Sequence, residues 1–241
     1  MAGHSKWANI KRAKGATDLK RGKVFAKLSR EVTIAARLGG GDPDMNPRLR
    51  MVLLKCRSAN MPKDNIDRAI KKGTGGDETV TYEDLTYEIY GPNGVAILAE
   101  VSTDNRNRTA ADIRSYVTKC GGNIATAGAV SRLFHRQGQI VVSRENADED
   151  ALMEVALEAG AEDFKSEPEG FTILTDPDSF EAVNKAVEDH GFKAEVAEIS
   201  FIPEITVPLD ESGTHAVTKL IDMIEDHDDV SSIYSNAAFA D

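Results

Sequence analysis

The sequence predicts an α+β protein: an N-terminal three-helix domain followed by two α/β, ferredoxin-like domains, one inserted in the other. Three observations carry this reading. Apolar residues recur at the helical period through residues 19–73. Residues 139–202 read β-α-β-β-α-β, the order that a split βαβ sandwich requires. Residues 205–234 read as a βαβ remnant too small to fold alone, and its natural partner is the incomplete unit at 80–130. The expected domains are therefore 1–76, then 77–130 together with 204–241, with 131–203 as the insertion.

Residues 1–18 lack apolar periodicity and carry Lys6, Lys11, Arg12 and Lys14 with Trp7, so they read as an extended or partly ordered basic arm. A helix follows over 19–38, with Val24, Phe25, Leu28, Val32 and Ala35 on its buried face. Lys20, Lys23, Lys27 and Arg30 fall mostly on the other side. Gly39-Gly40-Gly41 ends this helix. Asn46 and Pro47 supply an N-cap and a preorganised first turn for a helix over 47–60, buried through Leu49, Val52, Leu53 and Cys56. Pro62 resets the chain for a short helix carrying Ile66 and Ile70, closed by Gly73, and residues 73–77 read as a hinge.

Beyond the hinge, 86–90 and 95–102 read as strands joined by the turn Gly91-Pro92-Asn93-Gly94. A helix at 109–119 stops at Gly121-Gly122. Residues 131–136 and 139–143 read as a hairpin around Gln137-Gly138. A helix at 147–159, strands near 162–166 and 171–175, a helix at 178–190 and a strand at 195–202 complete the insertion. A strand at 205–207, a helix at 214–227 and a strand at 230–234 close the chain.

The chain carries a net charge of −11, but its distribution is polar. Residues 1–76 hold 18 Lys+Arg against 6 Asp+Glu, a net of +12, and residues 77–241 hold 11 against 34, a net of −23. Asymmetry of this kind points to nucleic-acid contact by the basic part, with the acidic part orienting it by repulsion. The two cysteines, Cys56 and Cys120, suggest no disulfide framework and fit a reducing compartment. The start has no apolar signal region, and the longest apolar run, Val95–Ala99, is far short of a membrane span, so a cytoplasmic protein without membrane contact is expected.

Catalytic chemistry finds little support. Asp42-Pro43-Asp44-Met45-Asn46 imitates the first ligands of a calcium loop, but Pro47 stands where glycine is needed. The glycine runs lack the Lys-Ser/Thr ending of a phosphate-binding loop. The histidines, at 4, 135, 190, 215 and 227, show no zinc spacing with either cysteine, and Asp226-His227-Asp228-Asp229 reads as a solvated helix end. Neither an enzyme nor a cofactor, metal or small-molecule substrate is expected.

Several strings resemble the YebC/PmpR family, whose mitochondrial relatives are translational activators of cytochrome oxidase. They are MAGHSKWANIK at 1–11, KRGK at 20–23, LGGGDP at 38–43, NPRLR at 46–50, Asn60-Met61-Pro62 and IDRAI at 66–70. STDNRNRT at 102–109 and KCGGN at 119–123 continue the likeness, which runs essentially the full length. The resemblance implies a helical domain and two α/β domains in a cytoplasmic, non-catalytic protein. Bacterial members are labelled DNA-binding transcriptional regulators, and others are described as ribosome-associated factors that help translation. This chain departs in two places: Arg12-Ala13-Lys14 stands where His-Arg-Lys is expected, and Ala125-Thr126-Ala127-Gly128-Ala129 stands where members often carry an acid and a serine.

The candidate nucleic-acid-binding set is Lys6, Lys11, Arg12, Lys14, Lys20, Arg21, Lys23, Lys27 and Arg30, with Arg48, Arg50 and Lys72 secondary. Trp7 is read either as a base-stacking ring or as a plug docking the arm. Arg106 and Arg108 are read either as partners of nearby acids, with Asn107 or Asp104 capping the helix, or as contacts to phosphate or to a protein. Lys63, Asn65, Arg68, Lys71 and Lys72 would suit a groove-reading helix, but Asp64 and Asp67 share it, which favours shape and backbone recognition. The expected function is a nucleic-acid-binding regulator, on DNA as a transcriptional regulator. The alternatives are a translation factor on ribosomal RNA, with the ribosome as partner, and a protein-interaction adaptor.

Overall fold

The fold is that of a computed structural model, which describes residues 18–75 and 81–239, the side chains of residues 18–21 excepted. Among the described residues three helices come first: α1 (Asp18–Gly39), α2 (Pro47–Ser58) and α3 (Lys63–Thr74). Next come β1 (Glu83–Tyr90), β2 (Ala96–Thr103), α4 (Arg106–Lys119) and β3 (Asn123–Ile124). The chain continues with β4 (Phe134–Ser143), α5 (Glu149–Glu158), β5 (Asp163–Glu167), β6 (Gly170–Thr175), α6 (Phe180–Asp189) and β7 (Ala194–Pro203). It closes with β8 (Val207–Pro208), α7 (Glu211–Glu225), β9 (Val230–Ser235) and β10 (Ala237–Ala238). The described residues group into two compact units, one of Val24–Gly75 with Arg136–Phe201, the other of residues 81–135 with 202–239 and the start of α1 over residues 18–23.

In the first unit, α1 to α3 enclose Leu28, Val32, Ala35, Leu49, Val52, Cys56, Met61 and Ala69. Asn46 joins two helix ends. Its side-chain oxygen accepts from Leu49 N at 3.0 Å, capping α2, and its amide donates to Ala35 O and Gly40 O, both at 2.8 Å, closing α1. The sheet of this unit runs β5-β6-β4-β7, so the first and third strands of the β-α-β-β-α-β segment lie in the centre, as the ferredoxin-like reading requires. Its core gathers Ile140, Val142, Leu152, Ala156, Phe171, Ile173, Phe180, Val183 and Val187, and Met51 and Leu54 of α2 pack against it. Helix α2 is thus buried on two sides.

In the second unit the sheet order is β3-β1-β2-β9. β2 is central and buried at seven of its eight positions, which explains the unbroken apolar run of the sequence there. β9 pairs antiparallel with β2, and Ile89, Ile97 and Ile113 share one core with Val217, Leu220, Ile224 and Val230. Asn236 fixes the chain's return: its side-chain oxygen accepts from Ala96 N at 2.8 Å, and its amide donates to Ile205 O at 3.2 Å.

Four local expectations are corrected. Residues 131–143 form no hairpin; β4 runs straight through Gln137-Gly138, where a Cβ would strike Thr175 Oγ1 and Phe180. Gly73 does not close α3 but lies inside it, buried, where a Cβ would run into Thr33 O and Ala36 of α1. Both glycines answer to close packing, not to a turn. Val24, expected in the core, is 45% exposed. The N-cap of α4 is Asn105, whose side chain accepts from Arg108 N at 3.1 Å, not Asn107 or Asp104. The hinge over 73–77 falls partly outside the described residues.

Asn46→Ala removes three hydrogen bonds at a buried position, leaving the ends of α1 and α2 uncapped, and is expected to lower stability by about 2 kcal/mol. Urea unfolding measures this, and an unchanged midpoint would show that Asn46 does not join the helices.

Candidate nucleic-acid interface

Lys6, Trp7, Lys11, Arg12 and Lys14 lie outside the described residues, and Lys20 and Arg21 occupy the first turn of α1, where the backbone alone is described. Positions 23, 27 and 30 recur at helical spacing and share one stripe of α1. Lys23 is exposed, 2.9 Å from Asp226, an exposed pairing of a kind worth about 0–1 kcal/mol. Lys27, Arg30 and Arg48 are half-buried. Arg50 is occupied structurally: its Nε donates to Glu181 at 2.9 Å, and its Nη1 donates to Pro43 O at 2.8 Å and Asp44 O at 3.0 Å. A phosphate would have to displace all three contacts. Lys72 is exposed on α3.

The same helices present cations that the sequence-based set omits. Arg57, Lys63 and Lys71 are exposed, and neither they nor Lys72 have an ion-pair partner among the described residues. The signal for Arg57 was its place at the end of α2, off the stripe of Leu49, Val52 and Cys56. Arg68 and Asn65, which would suit base edges, engage each other: Arg68 Nη2 donates to Asn65 Oδ1, and its Nε donates to Asp64 O at 3.1 Å. With Asp64 and Asp67 exposed beside them, the α3 surface offers charge for phosphate more readily than free groups for bases.

The DNRNRT string forms a clasp in the second unit. Asp229 is buried, and its Oδ2 accepts from Thr109 Oγ1 at 2.6 Å, Thr103 Oγ1 at 3.0 Å and Arg108 Nη2 at 3.3 Å. Arg108 also meets Asp104 at 2.7 Å, and these two carboxylates raise its already high pKa. His227 Nδ1 accepts from Asp229 N at 3.1 Å, while its Nε2 lies 3.3 Å from Asp112. The segment 226–229 is therefore not simply a solvated helix end: Asp229 and His227 are structural. Arg108 is committed to this clasp, whereas Arg106 is exposed at the start of α4. Among the described residues no group of three or more His, Cys, Asp or Glu could hold a metal ion, and no helix is long and apolar enough to cross a membrane.

Two family models match nearly end to end: the TACO1/YebC protein N-terminal domain over residues 5–76, and the TACO1/YebC second and third domain over residues 82–237. The chain belongs to the TACO1/YebC family. Similar relatives include a probable transcriptional regulatory protein of Geobacter sp. (strain M21), 53% identical over 98% of this chain and 95% of that protein. Proteins of the same description match from Desulforapulum autotrophicum, at 53% identity over 100% and 98%, and from Halothermothrix orenii, at 54% over 98% and 94%. Among solved structures, a conserved hypothetical protein of Aquifex aeolicus superposes with a TM-score of 0.81 at 43% identity, covering 93% of each chain.

In this family member the loop Ala125–Ala129, which departs from the expected pattern, is held through its backbone. The Glu88 carboxylate accepts from Val130 N at 2.6 Å, Gly128 N at 2.7 Å and Ser131 N at 2.9 Å. Burial alone would raise the Glu88 pKa, but these three N–H donors and the Ser131 side chain outweigh it and hold the carboxyl below its ordinary value. In the first unit, burial and then Glu31 push the Cys56 thiol up to about 11, so it packs as an inert apolar side chain.

A lowered folded-state pKa means that Glu88 stabilises the fold above the ordinary carboxylate value of 4.5 and loses that contribution as pH falls through the folded value. Glu88→Gln is therefore expected to melt below the wild type at pH 7, with the gap closing below about pH 4.5. Calorimetry from pH 7 to pH 3 checks this; a gap independent of pH would contradict the carboxylate's role.

Proposed function

We propose that the chain is a cytoplasmic, non-catalytic, nucleic-acid-binding regulator of gene expression that grips phosphate through its basic N-terminal third. The observation that carries this is charge: exposed Arg57, Lys63, Lys71 and Lys72 have no ion-pair partner among the described residues, on helices of a segment with a net of +12, ahead of a remainder with a net of −23. The relatives' name, probable transcriptional regulatory protein, favours DNA as the target. Lys20, Arg21, Lys23 and Lys27 of α1 form the leading contact, continued by Arg57, Lys63, Lys71 and Lys72. Arg48 and Arg50 serve mainly the fold. Residues 1–76 act as the binding domain, and 77–130 with 204–241, and 131–203, as acidic domains that orient it.

A second reading, recognition of structured RNA by a translation factor on the ribosome, is favoured by α3. Its Arg68 and Asn65 are engaged with each other and its carboxylates are exposed, which suits backbone and shape recognition.

If about six phosphates are neutralised, affinity falls by about three powers of ten over a fourfold rise in salt. Fluorescence anisotropy on a DNA duplex and an RNA stem-loop measures this for the wild type and for the combined variant Lys20→Glu, Arg21→Glu, Lys23→Glu and Lys27→Glu. Loss of affinity with a flatter salt slope is expected in the variant. Equal slopes and affinities in the two proteins would remove the basic third from the interface.

A further inference from the structure

Helix α7 ends against the usual charge rule. The backbone dipole makes a helix C-terminus negative, so cations ordinarily stabilise it. The last turn of α7 holds no basic residue. Asp222, Glu225 and the C-cap Asp226 recur there at helical spacing on one stripe, with exposed Asp228 just beyond. Lys219, the one lysine or arginine of α7, forms no ion pair among the described residues.

A compensating cation comes from the start of α1. Lys23 Nζ lies 2.9 Å from Asp226 Oδ1, across 203 residues of sequence and within one compact unit. Lys20 lies one turn earlier along α1, at helical spacing from Lys23. The carboxylate stripe therefore meets α1 at the cations read above as the leading phosphate contact. The paired side chains are 55% and 63% exposed, so water reaches both and the pair exchanges readily. Such a contact is too weak to lock Lys23, but a phosphate has to compete with it.

We propose that the acidic end of α7 is an autoinhibitory contact: Asp226, backed by Asp222, Glu225 and Asp228, occupies Lys23 until a phosphate displaces it. This rests on the nucleic-acid reading above and deepens it, because the chain then carries its own competitor for the start of its binding helix. The exchange is charge for charge. A phosphate that takes Lys23 releases a counterion from the nucleic acid, while the freed carboxylate attracts one from solution. Lys23 therefore adds less to the salt dependence of binding than a cation without a carboxylate partner would. The neighbouring carboxylates repel the same phosphate, so weak and isolated anions are rejected and a regular array of phosphates is favoured.

The test uses the full chain, the DNA duplex and RNA stem-loop named above, and anisotropy across a salt series. Asp226→Asn is expected to bind about threefold more tightly at low salt. Its salt slope should steepen, by about 0.9 on the duplex if Lys23 gains one full phosphate contact. The gain should vanish when the same substitution is made in a Lys23→Ala chain. A charge-matched control, Asp150→Asn with Glu154→Gln and Glu158→Gln on exposed positions of α5, should leave affinity near the wild type. The melting temperature of Asp226→Asn should not fall, because the carboxylate sits at the negative end of a helix.

No gain in Asp226→Asn, with a wild type that binds, would overturn the autoinhibitory contact and leave the proposed function standing. An equal gain in the Lys23→Ala chain, or in the α5 control, would also overturn it, since the carboxylate would then act only as general negative charge. Binding by Asp226→Asn alone would support the contact in its strongest form. Silence of every chain on both probes would end the wider reading and this inference with it.

Discussion

Helix α2 must bury two sides at once, and the order of the basic segment depends on it. Residues 22–75 carry 12 Lys+Arg against 5 Asp+Glu, so like-charge repulsion opposes their compaction. The core that α1, α2 and α3 share is small. Met51 and Leu54 extend it by packing α2 against the sheet core of β4 and β6, and Arg50 links the preceding loop to Glu181 of α6. Fully burying such a side chain is worth about 1.5–3 kcal/mol, so even the partial burial of Met51 and Leu54 rivals a typical exposed ion pair. Apolar contact to a rigid sheet therefore lets a cationic helical surface stay folded while its charges stay exposed.

This arrangement connects packing with function. A preorganised helical surface loses less side-chain and backbone freedom on meeting phosphate than a flexible basic tail would. Paired cations such as Arg50 and Lys55 stabilise the fold, while Arg57, Lys63, Lys71 and Lys72 face solvent. In the second unit the same division recurs on one helix: Arg108 is locked to Asp104 and Asp229, and Arg106, Arg114 and Lys119 are exposed. Sequence alone cannot separate the two roles, because both are written as Arg or Lys in a basic string.

Much of the fold was legible because its signals are local. The Asn46-Pro47 start of α2, the glycines after α1 and the β-α-β-β-α-β order each depend on neighbours a few residues away. What the sequence hid was set by distant partners. Gly73 and Gly138 read as a stop and a turn, since glycine serves those roles as readily as close packing, and only Thr33 and Phe180 reveal which applies. Asp229 looked like one more acid in an acidic run, and its burial comes from Thr103 and Thr109, over a hundred residues earlier. Arg50 looked like a phosphate ligand until Glu181, 131 residues on, occupied it. The two-residue strands β3 and β10 are too short to carry any periodic signal.

Ultraviolet crosslinking in cells, with sequencing of both the RNA and the DNA recovered, addresses the central claim most directly. The comparison is between the wild type and the chain reversed in charge at Lys20, Arg21, Lys23 and Lys27. Phosphate binding by the basic third predicts recovery at discrete sites that is lost in the reversed chain, with promoters marking a transcriptional regulator and ribosomal RNA marking a translation factor. Recovery that is the same in both proteins, in both pools, would contradict it.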